Sequence, residues 1–362
     1  MSDLVGIGGG KLGWHWHDLG IGVIIESYPI GVFHLVPGFF RRHIYGGLAI
    51  VLATAMLPGL VRPAMAQGAV DPNVAPRAAA LERAGDWTGA TEMLGRYLAT
   101  APGAGRAWFQ FGRMYLLAAR QWHVQGHEGD PDGALYLDLA AIAFDKAIEL
   151  QIDSGRVYRG TVEMERGVLR MEQGGWSALA AVDPRRTTPV PGFVLELGAN
   201  LVASCPSNAI LVPGNQLESL AAWLASVELG FRRDVFPLLP ERFQDDSLYR
   251  RQVAVTLELA GSAGVTAAAT ERTLCLTPFA DSSRFGGEEW SVTQLALVTG
   301  AAPALPAHVL SITQLQQSHQ QRPTAWTEAV TAVYLQAAQR NVLLCGGLLS
   351  YLKDPAITTC GR

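Results

Sequence analysis

Charge is scarce in this chain. Asp, Glu, Lys and Arg make up 17% of 362 residues, and the two signs nearly balance at a formal net charge of −4. No basic stripe with interleaved aromatics occurs, so the electrostatic footprint of a nucleic-acid-binding protein is missing. Cysteine is rare as well. Cys205, Cys275, Cys345 and Cys360 are the whole set, and their spacing is too wide for a CxxC redox or zinc motif. There is no G-x-S-x-G elbow. The run Gly6-Ile7-Gly8-Gly9-Gly10-Lys11 lacks the preceding strand, the following helix and the Ser or Thr that a phosphate loop needs after its lysine. Ser204-Cys205 stands before a strand-like run, and nothing identifies a His partner for that thiol. No motif names a reaction, so no catalytic residue, metal ligand or cofactor is assigned.

What is present begins with Arg41 to Gln67, RRHIYGGLAIVLATAMLPGLVRPAMAQ. Two arginines precede an apolar run, Ile44–Val61, and small residues come after it at Ala64-Met65-Ala66. Basic start, apolar middle and small residues at −3 and −1 form the pattern of a secretory signal. Residues 1–40 show no sustained helical or strand period and are expected to be upstream of the mature protein, with translation starting nearer Val36. The alternative is an uncleaved Ile44–Val61 that anchors the chain in a membrane, although the run is slightly short for a span and holds Pro58 and Gly59. Either way the bulk of the chain is expected on the periplasmic side. Cleavage after Ala66 leaves roughly 295 residues, enough for about two domains. In an oxidising compartment four cysteines allow up to two disulfides, or a buried free thiol at Cys345.

Residues 72–176, within a helical-repeat domain expected over 72–182, have a period of about 34. Ala90, Leu94, Tyr97 and Pro102 come after Gly85-Asp86-Trp87, and the chain restarts at Ala107-Trp108. Trp108, Phe111, Gly112 and Tyr115, then Ala140, Phe144 and Ala147, form the two halves of a pattern that resembles the tetratricopeptide repeat. Small residues there let paired helices approach, and large ones fill the space between repeats. An insertion, Gln121–Leu137, separates the helices of the second repeat. A third unit, Tyr158 to about Val182, is degenerate, so the array is expected to lean on the C-terminal domain. The resemblance implies a surface for a protein partner, with Trp108, Tyr115 and Trp122 as candidate contacts. His123, His127, Glu128, Asp130 and Asp132 within the insertion read as a polar loop rather than a metal site, since HxxxHE is not the HExxH order.

Three prolines between Asp183 and Pro191 mark a linker over 183–192, and residues 193–362 then change character. Asn208–Val212, Arg233–Leu239, Thr273–Thr277 and His308–Ile312 read as strands. Gln216–Leu229, Ser247–Leu259 and one or two closing helices over Thr324–Tyr351 alternate with them, with Asn215 and Thr324 as caps. The overall expectation is a helical-repeat domain and then an α/β domain with a mostly parallel sheet. Ile210-Leu211-Val212, Gly214, Trp223, Arg232 or Arg233 with Asp234-Val235, and Tyr249-Arg250-Arg251-Gln252 resemble the soluble C-terminal region of bacterial membrane proteins akin to protein O-mannosyltransferases. That family's acidic turn is replaced here by Pro213-Gly214-Asn215-Gln216-Leu217-Glu218-Ser219. Its membrane-spanning half, where the transferase chemistry would be expected, has no counterpart in the matched residues.

Ligands of open parallel sheets bind beyond the carboxyl ends of strands. That rule selects Gly214, Asn215 and Glu218 after the first strand, and Asp281, Arg284 and Glu288 in the polar loop after the third. The expected function is an exported, non-enzymatic interaction module: a scaffold or accessory subunit of a membrane-associated complex or envelope protein. The alternative is a ligand-binding or catalytic module of envelope glycan transfer. It requires Glu218 and Asp281 to meet in a cleft.

Overall fold

The computed structural model describes residues 71–124, 131–181, 189–259, 272–285, 289–301 and 310–352. The upstream segment, the signal-like run, the centre of the His-rich insertion, Glu288 and Cys360 lie outside the described residues. All described residues belong to one unit, Pro37–Arg362. Its architecture is mostly helical with one small mixed sheet.

The first half is built from helix pairs. Helices α1 (Val74–Arg83) and α2 (Trp87–Thr100) are joined by a tight turn in which Gly85 takes a positive φ of 80°. Asp86 caps α2 by accepting from Gly89 N at 2.8 Å. Helices α3 (Gly105–Val124) and α4 (Pro131–Glu149) form the next pair. A Cβ on Gly112 would lie 2.7 Å from a ring carbon of the fully buried Phe144, so the missing side chain is what lets α3 and α4 close on each other. Ala90, Leu94, Ala140, Phe144 and Ala147 are all buried around this contact.

Helix α5 (Ser154–Gly174) belongs to two cores. Val162, Tyr158 and Leu169 pack with α3 and α4, whereas Val157, Met164, Val168 and Met171 join the core of the second half. Two glycines on α5 receive side chains from that half. A Cβ on Gly160 would meet Val190 at 2.4 Å, and one on Gly167 would meet Trp223 at 3.0 Å. Val190, expected in a linker, is thus a packing residue. A buried ion network crosses the same seam. Glu165 of α5 accepts from Arg120 of α3 at 2.6 Å and from Arg242 of the second half, and Arg242 also lies 3.4 Å from Asp246. The paired guanidiniums outweigh burial and hold Glu165 at about 2, below the usual glutamate range.

The second half opens with helix α6 (Gly192–Ala203) and then strand β1 (Ile210–Val212). Helix α7 (Gln216–Trp223) runs on through a π turn, Leu224–Glu228, so the helix expected from Gln216 has close to its expected length. Strand β2 (Phe236–Pro237), helices α8 (Pro240–Asp245) and α9 (Ser247–Leu257), and strand β3 (Leu274–Leu276) come next. Strands β4 (Trp290–Val292) and β5 (Leu297–Thr299) precede helices α10 (Thr313–Gln321), α11 (Ala325–Ala338) and α12 (Val342–Leu352). The strand order is β2-β1-β3-β5-β4. Strand β1 pairs in parallel with β2 and β3, and Ile210 sits opposite both Phe236 and Leu274. Ile210, Val212, Leu274 and Leu276 face one core, and Leu211, Cys275 and Val298 face the other, so β1 and β3 are covered on both sides.

The sheet differs from the expected mostly parallel one. Strand β5 is antiparallel to both β3 and β4. For the β4–β5 pair the physical reason is the four-residue connection Thr293–Ala296, too short for any crossover and long enough for a hairpin. His308–Ile312, expected as a strand, is not one where described. Leu310–Ile312 have no regular structure. Asn200 Nδ2 donates to the Ser311 carbonyl at 2.5 Å and its Oδ1 accepts from Ser311 N at 3.2 Å, so one side chain supplies what a neighbouring strand would. The Arg233–Leu239 run contracts to two strand residues: Arg232 turns at φ 50° just before it, and Pro237 sits on this edge strand between Phe236 N and Leu238 N, which donate to the Ala209 and Leu211 carbonyls. The closing helix is two helices, with Thr324 capping the first by accepting from Thr327 N.

Cys205 and Cys275 form a disulfide with Cα atoms 5.7 Å apart, both fully buried. Cys345 is also disulfide-bonded, which corrects the free-thiol alternative. Among the described residues no helix is long and apolar enough to cross a membrane.

Candidate functional site

The ends of β1 and β3 form the place where a ligand of an open sheet would sit, because the chain leaves β1 toward β2 and reaches β3 on the other side. Asn215 caps α7 by accepting from Glu218 N at 2.9 Å, which fixes the first turn of the helix directly beyond β1. The Glu218 side chain then reaches across to β3. Its Oε2 accepts from the Thr277 hydroxyl at 2.7 Å and from Gly214 N at 3.0 Å, and its Oε1 accepts from Phe279 N at 3.2 Å. Gly214 N also lies 2.9 Å from the Thr277 hydroxyl.

The chain itself fills this crevice. Glu218 has no exposed surface. A Cβ on Gly214 would stand 2.0 Å from the carbonyl carbon of Phe279, so the two turns are in backbone contact. Burial pushes the Glu218 carboxyl up to about 7, against hydrogen bonds from Thr277, Gly214 and Phe279 that favour the anion.

The other candidates lie elsewhere. Asp281 and Arg284 are exposed, 3.7 Å apart. Asp281 accepts from the Ser283 hydroxyl and backbone N–H, which hold its carboxyl below the usual aspartate range. Glu218 is inside and Asp281 outside, so the cleft that would join them is not formed. Gly214 and Asn215 have structural work in the turn, and Glu288 lies outside the described residues. Thr277 and Phe279 belong to the crevice, and sequence reasoning misses both; the one available signal is a hydroxyl residue ending an apolar strand.

The expected partner contacts of the first half are also redistributed. Trp108 and Tyr115 are buried between helices, with Trp108 Nε1 donating to the Pro102 carbonyl at 2.9 Å and Tyr115 stacked on Tyr136. Burial moves the Tyr115 phenol above its ordinary range. This corrects their expected role at a partner surface: the spacing that suggests a repeat is a core spacing. Trp122 is half-buried and meets Tyr136 edge-on at 6.0 Å.

No family model matches the chain, and no match exists among curated proteins or solved structures.

Proposed function

We propose that the chain is an exported, non-enzymatic interaction module, an accessory subunit or scaffold that works at the periplasmic face of a membrane-associated complex. The observation that carries this reading is the crevice at the ends of β1 and β3. Its donors, Gly214 N, Thr277 Oγ1 and Phe279 N, are engaged by the protein's own Glu218. The helix pairs, read as tetratricopeptide-like repeats, supply surface of the kind such modules use for partners. Disulfide bonding of buried Cys205, Cys275 and Cys345 fits an oxidising compartment and the signal-like run.

The test is isolation of the tagged full chain from native membranes in mild detergent, with mass spectrometry of the product. A stoichiometric envelope protein and a mature N-terminus near Gln67 are expected. A chain recovered alone, in reduced form and with its leader, from the cell interior overturns the proposal.

A further inference from the structure

Six large apolar side chains are exposed among the described residues, and three of them, Val292 (45%), Val342 (63%) and Leu343 (89%), lie on two segments that Asn341 ties together. Asn341 Nδ2 donates to the carbonyls of Thr293 at 2.8 Å and Gln294 at 3.0 Å, while its Oδ1 accepts from Leu344 N at 3.1 Å. One side chain therefore fixes the end of β4 to the first turn of α12. Val292 immediately precedes the fixed hairpin turn, and Val342 and Leu343 come immediately after Asn341. The apolar groups thus stand on a hydrogen-bonded corner, at the end of β4 and the start of α12.

The chemistry of the surroundings narrows what this corner meets. The eleven residues of α12, VLLCGGLLSYL, contain no Asp, Glu, Lys or Arg. Arg340 is exposed one residue before Asn341. The first-turn N–H groups of α12 add the positive end of a helix dipole beside it. The nearest acidic residue on the same hairpin is Glu289, three residues before Val292 and so about 10 Å away along extended chain. An apolar tip with one cation and a positive helix end matches a surface of hydrocarbon beneath anionic headgroups. A protein partner fits less well. A stable protein interface buries about 800 Å² on each side, with roughly 20 or more residues. Three side chains fall far short of that, whereas shallow insertion into a lipid surface needs only a few apolar groups acting together with attraction to anionic headgroups.

We infer that the Val292, Val342 and Leu343 corner is a membrane-contact site that inserts into the surface of an anionic lipid bilayer. The inference rests on the periplasmic, membrane-side placement proposed above. The partner-protein reading is tested separately, by the isolation from native membranes, so either can fail alone.

The test is co-sedimentation of the purified full chain with vesicles of phosphatidylcholine alone and of equimolar phosphatidylcholine and phosphatidylglycerol. The wild type is expected to pellet with the anionic vesicles. Val342→Ser combined with Leu343→Ser should weaken that binding by about tenfold or more, since two apolar side chains no longer leave water. Both positions are exposed, so the urea midpoint should not move. Arg340→Gln should weaken binding to anionic vesicles by about fivefold and leave the neutral ones unchanged. Wild-type protein that stays in the supernatant overturns the inference. So does vesicle binding that the double substitution leaves unchanged, which would assign the contact to the Ile44–Val61 run. A dimer without vesicles that the double substitution converts to monomer also overturns it, and makes the corner an interface between copies.

Discussion

Glu218→Gln should make this protein more stable at pH 8 and leave it nearly unchanged at pH 5. Glu218 is fully buried, and its carboxyl is raised from 4.5 to about 7 in the fold. Below 4.5 the group is protonated in folded and unfolded chains alike, and its full contribution is present. Between 4.5 and 7 the unfolded chain releases the proton and the fold retains it, so stability falls by ~1.4 kcal/mol per pH unit. Above 7 the loss is complete, at about 3 kcal/mol. Glutamine imitates the protonated form. Its carbonyl can accept from Phe279 N, its amide can donate to the Thr277 hydroxyl, which already stands 2.7 Å from the carboxyl, and Gly214 N keeps its 2.9 Å bond to that hydroxyl. Urea unfolding monitored by tryptophan fluorescence reads the effect. With a slope of about 2–3 kcal/mol per molar, the variant's midpoint at pH 8 should exceed the wild type's by roughly 1 M, and the midpoints should converge at pH 5. A variant weakened equally at both pH values would refute the argument. It would mean that the three donors outweigh burial and that the site is built for an anion.

Glu165 should show the opposite sign. Its carboxyl is depressed to about 2 by Arg242 and Arg120, so its contribution is present above 4.5 and is lost as pH falls through 2. Glu165→Gln should cost about 3 kcal/mol at neutral pH and flatten the acid limb of a thermal-unfolding pH series. Removing the disulfide by joint Cys205→Ala and Cys275→Ala releases a loop with a sequence separation of 70. The chain-entropy model gives a loss of about 4 kcal/mol, read as a lower urea midpoint. Gly112→Ala should destabilise by about 1–2 kcal/mol in thermal melts, because the new methyl meets the Phe144 ring at 2.7 Å. Gly95→Ala is the matched control. Nothing lies within 4 Å of its Cβ position, so the helix should gain ~0.5–1 kcal/mol.

The sequence is most readable where local chemistry decides the structure. Asn215 and Thr324 cap the helices they precede, and the ILV and LCL runs are strands with both faces covered. It is least readable where distant residues decide. The β4–β5 hairpin has too few apolar residues to show a strand period, and Thr293 gains its place from a hydrogen bond to the Ser204 carbonyl, 89 positions away. The HVLSI run has the composition of a strand, but Asn200 takes the backbone partners at Ser311. The site divides in the same way. The strand-end rule finds Glu218, whereas its orientation depends on Thr277 and Phe279, 59 and 61 residues along. Trp108 and Tyr115 suggest partner contacts because they are aromatic, although their repeat spacing already places them inside.

The double membership of α5 has a mechanical consequence. A helix of 21 residues that is at once the last wall of one core and the first wall of the next leaves no pivot between them. Breathing or reorientation of the halves would have to pull Val190 and Trp223 out of Gly160 and Gly167 and strip Glu165 of a guanidinium. The two halves packed on α5 should therefore move, melt and meet other molecules as one body, and excising either half would expose an oily helix flank rather than liberate a folded part.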